Sequence, residues 1–189
     1  MKSICVFCGA RSGYNKNFGK AATEFGRLLA IKGIELVYGG GSIGIMGEIA
    51  ESVLKEGGKV TGVITAHLMD MEVGHTGISK MHIVETLQQR KELQIQISDA
   101  FIALPGGYGT MDEFFEILVH NQLHLINKPL GILNTDGFYN PLAQMLEHFT
   151  AEGFASQEQL NTIIIEEEPA ILLERIREWK EAPAPIVID

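Results

Sequence analysis

Six short, predominantly apolar runs, each followed by a segment of helical length, constrain this chain more than any other feature. They lie at residues 3–8, 35–38, 59–64, 100–104, 130–133 and 162–165. A strand with one wet face alternates apolar and polar residues, whereas a nearly continuous apolar strand is covered on both sides. Strand–helix alternation therefore predicts a parallel sheet with helices on both faces, and right-handed crossovers make it doubly wound. The helices are expected at about 17–32, 45–56, 87–97, 110–123, 139–152 and 170–180. In the first of these, Ala21, Ala22, Phe25, Leu28 and Leu29 form an apolar stripe at helical spacing. Residues 65–79 carry no clear pattern and read as a long loop of the functional kind, with a short strand over 80–84.

The 189 residues suit one domain over 1–181, followed by a tail at 182–189 that opens with Ala182-Pro183-Ala184-Pro185. Fifteen basic against 24 acidic residues give a net charge of −9. No basic stripe marks a polymeric nucleic acid as partner, although backbone N–H groups can still hold the phosphate of a mononucleotide. No apolar run approaches the roughly 20 residues that span a bilayer, and the N-terminal stretch is too short for a signal peptide. The expectation is a soluble cytoplasmic chain with no membrane partner. Cys5 and Cys8 have C-x-x-C spacing. A glycine loop follows them where a redox pair needs a helix, so they read as buried strand thiols on opposite faces.

Two glycine loops follow strands, at the sheet edge where doubly wound folds bind ligands. Gly39 to Gly44 has the form G-x-G-x-x-G. It follows the second strand rather than the first, and 59–65 lacks the acidic residue that would hold a ribose hydroxyl, which argues against a nicotinamide oxidoreductase. Neither loop ends in Gly-Lys-Ser/Thr, which argues against a nucleoside triphosphatase. The second loop reads Pro105-Gly106-Gly107-Tyr108-Gly109-Thr110-Met111-Asp112-Glu113. Its glycines let a ligand reach the backbone, the helix start offers free N–H groups to a phosphate, and Thr110 adds a hydroxyl. Glu113, expected in the first helical turn, either complements the helix dipole or serves chemistry at a ribose. Arg90 and Lys91 bring positive charge to the same edge or form a solvated helix face. Glu116, His120 and His124 have a spacing that can bind zinc, but they do not form H-E-x-x-H, and a helix surface or interface is the favoured reading. His67, His75, His82 and His148 form no usable pattern.

Taken together, the glycine signature resembles the P-G-G-x-G-T-x-x-E motif of the LONELY GUY (LOG) family of cytokinin riboside 5′-monophosphate phosphoribohydrolases. The likeness covers nearly the whole chain. It runs from Val6-Phe7-Cys8-Gly9 through Val37-Tyr38-Gly39-Gly40-Gly41, Gly44-Ile45-Met46-Gly47 and Gly62-Val63-Ile64 to Arg90-Lys91. It continues through 98–102 to Lys128-Pro129-Leu130-Gly131 and Asp136-Gly137-Phe138-Tyr139. The resemblance implies a Rossmann-like homodimer that cleaves the N-glycosidic bond of adenosine 5′-monophosphate or its N6-prenylated forms, giving free base and ribose 5-phosphate. It implies Arg90 and Glu113 as the catalytic pair. It also implies substrate binding by Gly9, Gly40, Gly41, Met46, Glu72, Arg90, Lys91, Gly106, Gly107, Tyr108, Gly109, Thr110, Met111, Asp112 and Glu113.

No metal and no cofactor is expected. Glu113 would stabilise the oxocarbenium-like transition state and handle water, while Arg90 would bind phosphate or ribose or assist the leaving base. The chain departs from the family pattern at Leu87-Gln88-Gln89, at Ala10 and at Asp112. A non-catalytic carrier of a nucleotide or of the molybdenum cofactor, from the same fold superfamily, is the alternative.

Overall fold

Burial on both faces is complete in β1 (Ser3–Phe7), β3 (Val60–Thr65), β5 (Ala100–Ala103) and β6 (Leu130–Leu133), as their continuous apolar character requires. With β2 (Glu35–Tyr38), β4 (Lys80–Val84) and β7 (Ile163–Glu166) they form a single sheet in the order β4-β3-β2-β1-β5-β6-β7. Every pairing in it is parallel. The computed structural model describes residues 1–71 and 74–180. Glu72 and the expected tail at 182–189 lie outside the described residues.

Side chains alternate across β1 and divide the core in two. Ile4, Val6 and Cys8 face one layer with α1 (Lys16–Ile31), α2 (Gly44–Lys55) and α8 (Pro169–Glu178). Cys5 and Phe7 face the other, with α4 (Leu87–Ile97), α5 (Tyr108–Gln122) and α6 (Asn140–Ala151). The doubly wound expectation holds, and the two cysteines take opposite faces. Among the described residues no helix is long and apolar enough to cross a membrane.

Two expectations need correction. The stretch 65–79 is not all loop: α3 (Ala66–Met71) follows β3 directly, and the Leu68 N–H donates to Thr65 Oγ1 at 3.3 Å. A second short helix, α7 (Gln157–Leu160), has a Ser156–Gln159 capping box and precedes β7.

The order of strands creates the binding edge. The chain leaves β1 outward through β2, β3 and β4, then returns to β5 on the other side of β1. The loops after β1 and β5 therefore part in opposite directions, which opens a crevice at the carboxyl ends of these strands. The Gly9 N–H donates to the Pro105 carbonyl at 3.1 Å and joins the two loops at its floor.

Candidate active site

Gly107 caps α5 with no side-chain hydrogen bond, and the helix begins at Tyr108 rather than at Thr110. Its first N–H groups have no intrahelical acceptor and face the crevice end of the sheet. A Cβ on Gly107 or Gly109 would meet nothing within 4 Å, so the backbone there is open to a ligand. Gly106 is closed instead. A Cβ on it would strike Thr110 Oγ1 and come within 3.0 Å of the Gly9 nitrogen, so only glycine lets the two loops touch. Thr110 is buried against this contact, and Tyr108 is fully exposed.

The early helix start changes the reading of Glu113. It lies in the second turn of α5, and the first turn holds no acidic residue. It is therefore not a dipole-complementing surface carboxylate. Glu113 is buried, and its Oε1 lies 3.1 Å from Nη1 of Arg90, with side chains only 10% and 11% exposed.

Arg90 is fixed from three sides. Thr86 and Gln89 form a capping box that starts α4 at the carboxyl edge of β4. From the next turn, Arg90 Nε donates to the Val63 carbonyl of β3 at 2.9 Å. Its guanidinium also lies where a Cβ on Gly39 would sit, with the Met46 sulfur 3.0 Å from the same point. The first glycine loop thus serves by leaving room for an arginine. Met46 is buried beside it, and Gly40 and Gly41 continue the loop.

Lys91 is not part of a solvated face. Its Nζ pairs with Asp112 at 3.2 Å and with Glu116. Burial lowers its pKa, but the hydrogen bonds and charges of Glu116 and Asp112 outweigh this and hold it above the usual lysine value. Lys91 thereby ties α4 to α5 beside the Arg90–Glu113 pair. Met111 packs against the core on the same face.

Cys5 lies beneath the pair. Burial pushes its thiol well up, and the Glu113 carboxylate adds to the effect, so it is no reactive thiolate. The zinc geometry is not formed. His120 Nδ1 donates to the Glu116 carbonyl at 2.8 Å, and His124 lies beyond the end of α5 with φ of +54°. Among the described residues no group of three or more His, Cys, Asp or Glu side chains could hold a metal ion.

The site therefore joins a buried carboxylate–guanidinium pair to an open, glycine-lined helix N-terminus. Such a site can seat an anionic group at the helix and present a carboxylate to a centre that becomes positive.

Residues 46–176 match a family model described as "Possible lysine decarboxylase". A protein of Oryza sativa subsp. japonica named "Probable cytokinin riboside 5′-monophosphate phosphoribohydrolase LOGL1" is 49% identical over 151 residues, covering 80% of this chain and 68% of that one. The "Cytokinin riboside 5′-monophosphate phosphoribohydrolase" of Rhodococcoides fascians is 42% identical over 165 residues, covering 87% and 83%. Among solved structures, the molybdenum cofactor carrier protein of Chlamydomonas reinhardtii superposes with a TM-score of 0.71 at 20% identity, covering 94% of this chain and 96% of that one. The protein TM1055 does so with 0.73 at 20% identity, covering 95% and 100%.

Proposed function

This chain belongs to the LOG family of cytokinin riboside 5′-monophosphate phosphoribohydrolases, and from that premise we propose that it hydrolyses the N-glycosidic bond of adenosine 5′-monophosphate and its N6-prenylated forms. The products are the free base, a cytokinin when prenylated, and ribose 5-phosphate. The observation that carries the chemistry is the buried Arg90–Glu113 pair beside the open N-terminus of α5.

The 5′-phosphate is held by the first N–H groups of α5 along the open backbone of Gly107 and Gly109, with Gly106 setting the loop against Gly9, and this brings the ribose to Glu113. As the C1′–N bond lengthens, its electron pair goes to the base and positive charge grows on C1′. The Glu113 carboxylate stabilises that charge. It accepts a proton from the water whose oxygen bonds to C1′, the departing base takes up a proton from solvent, and Glu113 then returns its proton to solvent. Arg90, anchored on Val63, fixes the orientation of the carboxylate and balances its charge. Gly9, Gly40, Gly41, Met46, Lys91 and Asp112 frame the crevice around the base and ribose.

The carrier alternative draws only on a likeness of fold at about 20% identity. The relatives at 39–49% identity carry hydrolase names. The reading includes a homodimer, supported by the apolar side chains that α5 and its end leave exposed, and a cytoplasmic location, where nucleoside monophosphates are made.

The test is to incubate the protein with adenosine 5′-monophosphate and with its N6-isopentenyl form and to separate free base by chromatography. Release is expected from at least one, and Glu113→Gln should lower kcat by at least ~100-fold, the span of a lost acid–base group. Added chelator should leave the rate unchanged. Full turnover by Glu113→Gln would remove Glu113 from its role. No release by the native protein from either nucleotide would remove the hydrolase reading.

A further inference from the structure

The mechanism above uses none of residues 74–79, yet this stretch is fastened to the first glycine loop, and its side-chain anchor is His75. His75 is buried, at 7% exposure. Its backbone N–H donates to the Gly40 carbonyl at 2.9 Å, next to an antiparallel bridge between Gly41 and Gly74. Both ring nitrogens are engaged. The Gly77 N–H donates to Nδ1 at 3.1 Å, and Nε2 lies 3.0 Å from Oε1 of Glu51 on α2. A backbone N–H can only donate, so Nδ1 supplies the lone pair and Nε2 carries the proton given to Glu51. One residue thus joins three elements: its backbone holds the first glycine loop, and its ring ties the segment entering β4 to α2. The loop it grips is the one whose Gly39 carries the Arg90 guanidinium.

We propose that His75, held by Glu51, is a positioning residue: it sets where the segment around residues 74–77 seats against the first glycine loop, and so shapes the crevice wall that receives the nucleotide. The proposal rests on the hydrolase reading. An apolar side chain would fill the same space, but a ring bonded at both nitrogens fixes direction as well as volume. Arg90 rests against Gly39 of that loop, but the polar contacts that orient it, to Val63 and to Glu113, do not include His75. Releasing the latch therefore loosens substrate binding and spares the chemical step.

The test compares the full chain with His75→Ala, His75→Asn, His75→Gln and Glu51→Ala. Asparagine retains an acceptor close to Nδ1 and glutamine retains a donor close to Nε2, so each restores one half of the latch. For adenosine 5′-monophosphate, His75→Ala should raise KM by about tenfold while kcat stays within about twofold, the mark of lost ground-state binding. The asparagine and glutamine variants should each recover part of the loss. Glu51 is 70% exposed, so Glu51→Ala should fold normally, and it should move KM in the same direction.

Amide hydrogen exchange without nucleotide should quicken at Gly74 and Gly77 in the alanine variants and stay unchanged in α5. Unchanged KM and exchange in Glu51→Ala and His75→Ala overturn the latch, as does a fall in kcat at constant KM. If the native protein releases no base, the hydrolase reading fails, and exchange at Gly74 and Gly77 alone decides whether the latch exists.

Discussion

Glu113 and Gln94 show two fates of a buried polar side chain at the α4–α5 contact. Glu113 meets Arg90. Gln94, at 1% exposure, lines a small gap with Phe7, Lys91, Glu113 and Glu116, and neither atom of its amide has a partner among the described residues. A buried polar group without a partner costs about 1–3 kcal/mol, and a swap of similar volume is well tolerated. Gln94→Met should therefore stabilise the protein by about 1 kcal/mol, seen as a melting temperature raised by roughly 2–6 °C, with KM unchanged. A lower melting temperature would mean that the amide is satisfied after all. Arg90 and Glu113 were singled out as a pair by the family resemblance, since each residue read alone left a surface role open. Gln94 and His75 were not, since their meaning depends on what packs opposite them. For His75 that is Glu51 on a different element, and no local spacing contains it.

At the scale of elements, the starts and ends of helices decide where chemistry sits. Placing the start of α5 at Thr110 put Glu113 in the wrong turn, because a glycine cap leaves no Ser, Thr or Asp to mark the start. The missed helices did carry signals: Thr65 bonded to the Leu68 N–H for α3, and Ser156-x-x-Gln159 for α7. The junction of α4 and β5 is tied by side chains. Lys128 Nζ donates to the carbonyls of Ile95 and Ser98 at 2.7 and 2.6 Å. Asp99 Oδ2 accepts from the N–H groups of Lys2 and Ser3 at 2.5 and 3.2 Å, which anchors the start of β1. Burial raises the Asp99 pKa, but these backbone hydrogen bonds and nearby positive charge outweigh it and hold the carboxyl below its usual value. A group depressed in the folded state stabilises the fold above its unfolded pKa, near ~3.9, and that contribution is lost as pH falls through the lower folded value. Native protein should therefore exceed Asp99→Asn in stability at neutral pH, with the gap narrowing below about pH 4 in denaturant titrations. A gap constant down to the acid limit would assign the anchor to packing rather than charge.

At the scale of the whole molecule, the parallel sheet and its crevice followed from the apolar runs, while the order of strands did not. That order depends on which side of β1 the chain takes after β4, a choice made by helix packing rather than by any one strand. The outer surface poses the remaining question. Val119, Leu123 and Leu125 are 44%, 59% and 65% exposed along the end of α5 and the turn beyond it. One exposed leucine is ordinary, but three so close together suit a covered face. The proposed occupant is a second copy of this chain. Each copy carries a net charge of −9, so association brings like charges together and apolar burial must overcome their repulsion. Salt screens that repulsion over a Debye length of about 10 Å at 0.1 M and leaves apolar contacts in place. Sedimentation should therefore give twice 20.8 kDa, with a dimer that tightens as salt is added. Val119→Glu combined with Leu123→Glu should sediment as a monomer with native helical content. A native chain that stays monomeric at micromolar concentration and high salt would leave these side chains without that partner. A dimer that weakens with salt would mean that opposite charges, rather than this apolar strip, hold the copies together.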